Sequence, residues 1–343
     1  MNGILVERPG IMTTVQDLGR FGWQHLGIVP AGAMDTRSLR LSNVLVGNPA
    51  ATGALEITLR GPTLRFEVDS LVALCGAGFA THVERSGNEA SLPANRPVLL
   101  AAGTRLSIEQ AARGVRAYLA VAGGFAIEPV LGSCSTYVPA GFGGFLGRPL
   151  RSGDQLPLRD RTGAAARGRF AKLARHPERL IRNEACRSVR WTAPVHNLPI
   201  DMAPAVRVID GRHRSQFTEA AIEAFESSEF RIAADSNRMG YRMLGQTLAR
   251  TSDADVLSEP TTLGTIQVPA DGMPIVLMAD HQTTGGYAKI AEVASVDIPR
   301  LAQLGPGGKV RFVRCTLEAA LRLGAHERAA LVAIEQAIAW EYA

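Results

Sequence analysis

A chain of 343 residues, 46% hydrophobic and 20% charged, holds enough apolar material for two ordinary cores and is neither polar enough to be disordered nor apolar enough to be membranous. No apolar run approaches the ~20 residues that cross a bilayer, and Met1 to Gly10 carries Glu7 and Arg8 without a signal-peptide apolar stretch, so no membrane role is expected. The four cysteines (Cys75, Cys134, Cys186, Cys315) and seven histidines form no C-x-x-C or H-E-x-x-H pattern, which predicts free thiols in a reducing cytoplasm and no metal site.

In chain order, the first notable segment is Gln16 to Gly27. It aligns without a gap on Ala234 to Gly245, so that Asp17, Arg20, Gly22, an aromatic, Leu26 and Gly27 match Asp235, Arg238, Gly240, Tyr241, Leu244 and Gly245. The Asp-x-x-Arg spacing allows a local ion pair bracing a glycine turn, Asp17 with Arg20 and Asp235 with Arg238. Asp35 to Val46 reads as a helix closed by Gly47, with Pro49 just beyond. Glu56 precedes Gly61 by five residues and a β-rich run, Thr63 to Val68, and a hairpin is expected around Gly61-Pro62. Tyr118 to Val121 then leads to Gly123-Gly124-Phe125.

The formal charge of +5 is unevenly placed. Arg148 to Arg190 holds twelve Arg and Lys against four Asp and Glu, an excess of eight, and the rest of the chain sums to −3. The segment is rich in Gly and Ala and poor in the aromatics of a nucleic-acid surface. A solvated basic linker over 161–195 is expected, with an acidic partner surface as the alternative and no nucleic acid.

Beyond it, Thr218 can cap a helix over Glu219 to Phe225. Glu259 precedes Gly264 by the same five residues and a β-rich run, Thr265 to Val268. Two copies of one β-rich unit follow from this order, over 1–160 and 196–343, the second with a helical tail over Leu317 to Leu323 and Glu327 to Trp340.

Residues that the two copies do not share are the better functional candidates. After an Asp271-Gly272 turn, the apolar run Pro274 to Met278 reads as a buried strand that opens into Asp280, His281, Gln282, Thr283 and Thr284, then Gly285, Gly286 and Tyr287. Such a strand end fixes polar groups in place, and glycines let backbone N–H groups approach a ligand. Gln282, Thr283 and Thr284 would orient a small amide, Gly285 and Gly286 would face an oxyanion, and Asp280 or His281 would handle a proton. Lys289 stands out because the chain has only three Lys, Lys172, Lys289 and Lys309, among 37 Lys and Arg. His25 and Asp35, in the unshared part of the first half, are further candidates.

Gly305 to Val310 lacks the first glycine and the Ser/Thr of a P-loop. Gly141 to Gly147 just misses G-x-G-x-x-G, and Ser133-Cys134-Ser135 has no nucleophile-elbow context.

Val15-Gln16-Asp17-Leu18-Gly19-Arg20, Ala31-Gly32-Ala33-Met34-Asp35, Asn43 to Pro49, Tyr118 to Gly124, Gly132-Ser133, Arg238-Met239-Gly240, Ser258-Glu259-Pro260, Gln267-Val268-Pro269 and Gln282 to Tyr287 together resemble the allophanate hydrolase subunit 2 family, also called the biotin-dependent carboxyltransferase or KipA family. The resemblance runs from about Gly10 to Phe312. It implies a mainly β fold of two cyclophilin-like β-barrel domains with few helices, and a companion subunit-1 or subunit-B-like chain. Some members serve with subunits A and B in ATP-dependent opening of the 5-oxoproline lactam to glutamate, the favoured reading here, with ATP held mainly by a partner. Others move a carboxyl group from carboxybiotin to urea, and others act as regulatory binding modules. Where many members carry Gly-Pro-Gln, this chain reads Gly211-Arg212-His213.

Overall fold

The structure, a computed structural model, describes residues 3–175, 177–194, 204–252 and 256–343. It is mainly β with five α-helices among the described residues, and no described helix is long and apolar enough to cross a membrane. The chain divides into two units: Met1–Gly19, Asp35–Asn197 and Ala330–Ala343 form one, Arg20–Met34 and Leu198–Ala329 the other.

In the first unit, strands β1 (Gly3–Arg8), β2 (Met12–Gln16), β3 (Ala54–Thr58), β4 (Thr63–Phe66), β5 (Ser70–Arg85), β6 (Asn88–Ala90), β7 (Val98–Leu100), β8 (Arg105–Val121), β9 (Gln155–Pro157), β10 (Leu180–Arg182) and β11 (Arg187–Val189) form one eleven-stranded sheet. Its spine is the long antiparallel pair β5–β8, in register from Val72↔Val121 to Glu84↔Arg105 with shifts around Gly78. Alternate residues such as Val72, Leu74, Leu119 and Val121 turn inward to meet Ile4, Phe66 and Leu106 in the core. Helix α1 (Thr36–Leu45) starts where expected: Asp35 is its N-cap, accepting Ser38 N–H at 3.0 Å.

Two expectations fail here. Gly61-Pro62 is not a hairpin, since β3 and β4 both pair with β8, at Leu55↔Leu119 and Thr63↔Ser107. The chain runs on along β8 instead of reversing, and a Cβ at Gly61 would lie 2.5 Å from the Ile108 side chain. The basic segment is not a bare linker either. It builds α2 (Ala164–Leu173), and β11 joins the sheet through Ser188↔Val98. Ala166, Phe170 and Leu173 are buried at helical spacing, and the Arg187 guanidinium lies 5.6 Å from the Phe170 ring centroid. The expected boundary at 195–196 lies outside the described residues.

In the second unit, β12 (Ala205–Asp210), β13 (Phe230–Ile232), β14 (Gly240–Leu244), β16 (Thr265–Val268), β17 (Ile275–Leu277), β19 (Ala288–Val293) and β20 (Lys309–Arg314) close into a barrel, order β12-β19-β16-β17-β14-β13-β20. Parallel pairing of β12 with β20, from Ala205↔Arg311 to Val208↔Arg314, closes it. Helix α3 (Glu219–Ser227) is capped by Thr218, whose Oγ1 accepts Ala221 N–H at 3.1 Å. It buries Phe225 against Phe312, the rings stacked at 4.9 Å. The ribbon β15 (Glu259–Pro260) and β18 (Thr284–Gly285) stands apart as a two-stranded sheet. Helix α4 (Ile298–Ala302) follows β19. The tail is one helix, α5 (Leu317–Tyr342), in place of two; Gly324 sits within it, where a single glycine weakens a helix by only ~1 kcal/mol.

Candidate functional site

Strand alternation and one bulge build the site. On β16, Ile266 and Val268 enter the barrel core, so Thr265 and Gln267 face the other way. Across the ladder, Gln267 pairs with Lys289 and Thr265 with Glu292, with the register shifting between Ile266 and Gln267. Residues three apart on a regular strand face opposite sides. The bulge on β19 turns Ile290 and Ala291 both into the core, which lets Lys289 and Glu292 share one face. The β15–β18 ribbon covers that face, and Gln267 and Lys289 are buried beneath it.

Lys289 places its Nζ 3.0 Å from Glu259 Oε1 and donates to the Pro260 carbonyl. Arg212 Nη1 lies 3.1 Å from Glu259 Oε2, and His213 Nε2 lies 3.7 Å from Oε1. The Glu259 carboxyl is held below its ordinary value chiefly by the hydrogen bond from Lys289, against the opposing effect of burial. His213 Nδ1 accepts the Lys289 backbone N–H at 3.2 Å, which leaves the imidazole proton on Nε2, toward Glu259. Burial lowers the His213 pKa despite Glu259. Glu292 behaves oppositely: burial raises its pKa against hydrogen bonds from Thr265 and Thr262.

In front of Glu259 opens a cleft of about 700 Å³ lined by Arg212, His213, Gln216, Arg250, Ser258 and Glu259, among others. Gly211 permits the turn into this wall, because a Cβ there would lie 2.5 Å from the Ala291 nitrogen. Arg250 Nη2 donates to Gln216 Oε1 at 3.2 Å.

The residues singled out after β17 divide into two layers. Gln282 Nε2 donates to Gln267 Oε1 at 3.4 Å. Gly285 pairs with Glu259 in the ribbon, and a Cβ on it would lie 2.6 Å from Gln267 Nε2. Gly286 abuts Val256 and Ser258 of the cleft wall, while Thr284 and Tyr287 are exposed and Thr283 accepts the Thr261 N–H through its carbonyl.

Asp280 and His281 are packed away. Asp280 is gripped by a forked pair from Arg238, Nε to Oδ2 at 2.9 Å and Nη2 to Oδ1 at 3.0 Å. His281 Nδ1 lies 2.8 Å from the Gln282 carbonyl, and burial lowers its pKa. The brace expected between Asp235 and Arg238 does not form: Asp235 meets Arg242 at 3.2 Å, and Arg238 meets Asp280. Asp17 accepts from Ser133, Ser135, Gly19 and Cys134 in the first unit. Arg20 is buried, His25 lies exposed on a short 3₁₀ turn, and Asp35 is committed to capping α1.

Because His213 and His281 bind a proton only below the ordinary 6.5, the unfolded chain protonates first as pH falls. Their contribution to stability is complete above about 6.5 and is lost as pH falls through the lowered folded values. The thermal midpoint of the wild type should therefore drop more between pH 7.5 and 5.5 than that of His281→Asn. Equal drops would remove His281 from this dependence.

Glu259 and Gln267 lie in two of the motifs that carry the family resemblance, but nothing in the sequence assigns either of them to the site. Arg212 and His213 were visible as a departure from the family pattern. Among the described residues no group of His, Cys, Asp or Glu is placed to hold a metal ion.

Comparison with known proteins gives a consistent set of likenesses. Residues 26–314 match the family model described as carboxyltransferase domain, subdomain A and B. The chain is 40% identical over 317 residues to the 5-oxoprolinase C subunit of Escherichia coli, covering 92% of this chain and 93% of that one. It is 34% identical to the corresponding 5-oxoprolinase C subunit of Haemophilus influenzae, covering 90% of each. Among solved structures it is similar to the urea amidolyase of K. lactis, with TM-score 0.83 and 28% identity over 97% of this chain and 20% of that one.

Proposed function

Since the chain belongs to the carboxyltransferase domain family, subdomains A and B, we propose that it is the C subunit of an ATP-dependent 5-oxoprolinase, opening a lactam to glutamate together with separate subunits A and B. The observation that carries this reading is the cleft beside Glu259, whose wall bears both Arg212 and Arg250. A cationic rim suits a lactam that carries its own carboxylate, and has nothing equivalent to bind on neutral urea.

In this reading Arg212 and Arg250 take the substrate carboxylate, and Glu259, kept ionised by Lys289, accepts the lactam N–H. The Lys289 ammonium stabilises charge developing on the carbonyl oxygen, and neutral His213 moves a proton at Nε2. Gln267 holds Gln282, and Gln282 orients the amide. Asp280 is assigned to holding Arg238 rather than to proton transfer.

ATP is assigned to a companion subunit. The Gly305–Gly308 turn opens into strand β20 rather than a helix, so it presents no helix N-terminus to phosphates. Likeness to urea amidolyase favours a second reading, carboxyl transfer from carboxybiotin to urea. One experiment separates the two. The chain is co-expressed with subunits A and B and assayed with 5-oxoproline plus ATP, and with urea, bicarbonate, ATP and a biotinylated carrier. Glutamate release by the complete assembly only, with co-elution on size exclusion, is expected. Turnover of urea without 5-oxoproline, or activity of the chain alone, would overturn the assignment.

A further inference from the structure

The first unit holds a second cavity, of about 360 Å³, that shares no residue with the Glu259 cleft. Four separate stretches of sequence converge on it: Val15 and Asp17, Asn48 to Gly53, Gly123 to Ile127, and Gly132 with Cys134; Arg159 and Arg169 complete the lining. Its volume is at the lower end of the range for small-molecule pockets, about 300–1,000 Å³.

The two guanidinium groups are fixed by the protein itself. Arg169 Nη1 donates to the Val46 carbonyl at 2.7 Å and to Asn48 Oδ1 at 3.0 Å. Arg159 Nε donates to the Phe125 carbonyl at 3.1 Å. Each spends a nitrogen on its anchor, and a guanidinium carries five N–H donors. A ligand therefore meets cations whose conformational freedom is already restricted.

The one carboxylate in the lining, Asp17, is committed. Its Oδ1 accepts from Ser133 Oγ and Ser135 Oγ, both at 2.6 Å, and from Gly19 N–H at 2.8 Å, while Oδ2 accepts from Cys134 N–H at 2.5 Å. It holds the Ser133–Ser135 turn as a wall and leaves two cationic groups against one hydrogen-bonded anion. Val15, Phe125 and Ile127 supply apolar surface beside them.

We propose that this cavity is a binding site for a small monocarboxylate with an apolar body, its carboxylate held between Arg159 and Arg169. The charge balance selects an anion, the apolar wall selects a carbon body, and the volume excludes a nucleotide. The site is separate from the Glu259 cleft, and its existence does not depend on the reaction assigned there.

Isothermal titration of the full chain with sodium butyrate, and with butyramide as the neutral isostere, tests it. Butyrate should bind saturably and butyramide should not. Arg159→Gln removes an exposed side chain and should leave the circular dichroism unchanged while weakening butyrate at least about tenfold, the order expected from losing a charged hydrogen bond. Lys289→Met, in the other cleft, should bind butyrate like the wild type. Absence of saturable butyrate binding, equal binding by Arg159→Gln, or loss of binding in Lys289→Met would each overturn the proposal.

Discussion

Lys289→Met is expected to lower 5-oxoproline turnover by the assembled complex about 10²–10³-fold, the range found for removing one donor to a developing oxyanion. The substitution keeps most of the side-chain volume and takes away the charge. Two effects then act together. In the proposed role the ammonium is lost to the carbonyl oxygen of the substrate, and Glu259 loses the hydrogen bond that chiefly holds its pKa down. The Glu259 carboxyl should consequently titrate higher, so the acid limb of the pH–rate profile should move to higher pH. A fall in rate with an unmoved acid limb would mean that Lys289 acts on the substrate alone, and an unchanged rate would remove it from the site.

Asp280→Ala is expected to cost the fold about 3–5 kcal/mol, the range for deleting one member of a buried ion pair. Both partners are well shielded, the side chains being 10% exposed for Arg238 and 3% for Asp280. Alanine would leave the Arg238 guanidinium desolvated without the forked carboxylate that now takes its Nε and Nη2. Urea unfolding measures the loss directly. The double variant Arg238→Met/Asp280→Leu should recover much of it, because replacing a whole buried pair by apolar groups is often close to neutral. If Asp280→Ala unfolded at the wild-type urea concentration and still abolished turnover, Asp280 would be a proton-handling group after all and the assignment of its role would reverse.

What could be read from sequence is what local chemistry determines. Thr218 announced its helix because an N-cap needs only a short polar side chain three residues before the N–H it accepts, and Gly47 with Pro49 just beyond announced the end of the helix that starts at Asp35. Pro274 to Met278 announced its strand by being apolar between a glycine turn and a polar run, and β17 lies there with Val276 and Met278 fully buried.

What failed depends on partners distant in the chain. Asp235 and Arg238 have a spacing that suits a local pair, yet Arg238 finds Asp280 forty-two residues away, a choice made by the pairing of β14 with β17. In the basic stretch the density of arginine masks the helical period of Ala166, Phe170 and Leu173, which are buried. The Lys289–Glu259–His213 cluster needs the bulge in β19, the β15–β18 ribbon and the tight turn at Gly211 at once. The sequence marks its members separately, Lys289 by the scarcity of lysine, His213 by the departure from Gly-Pro-Gln and Glu259 by a family motif, and nothing local joins them.

The most direct measurement is glutamate release from 5-oxoproline by the complete assembly carrying Gln282→Ala, beside the wild-type assembly. Both chains should co-elute with the companion subunits and unfold at the same urea concentration, and the variant should turn over substrate far more slowly. Wild-type turnover by Gln282→Ala, repeated in Lys289→Met, would contradict the roles proposed for Gln282 and Lys289 behind Glu259 and with them the account of the site.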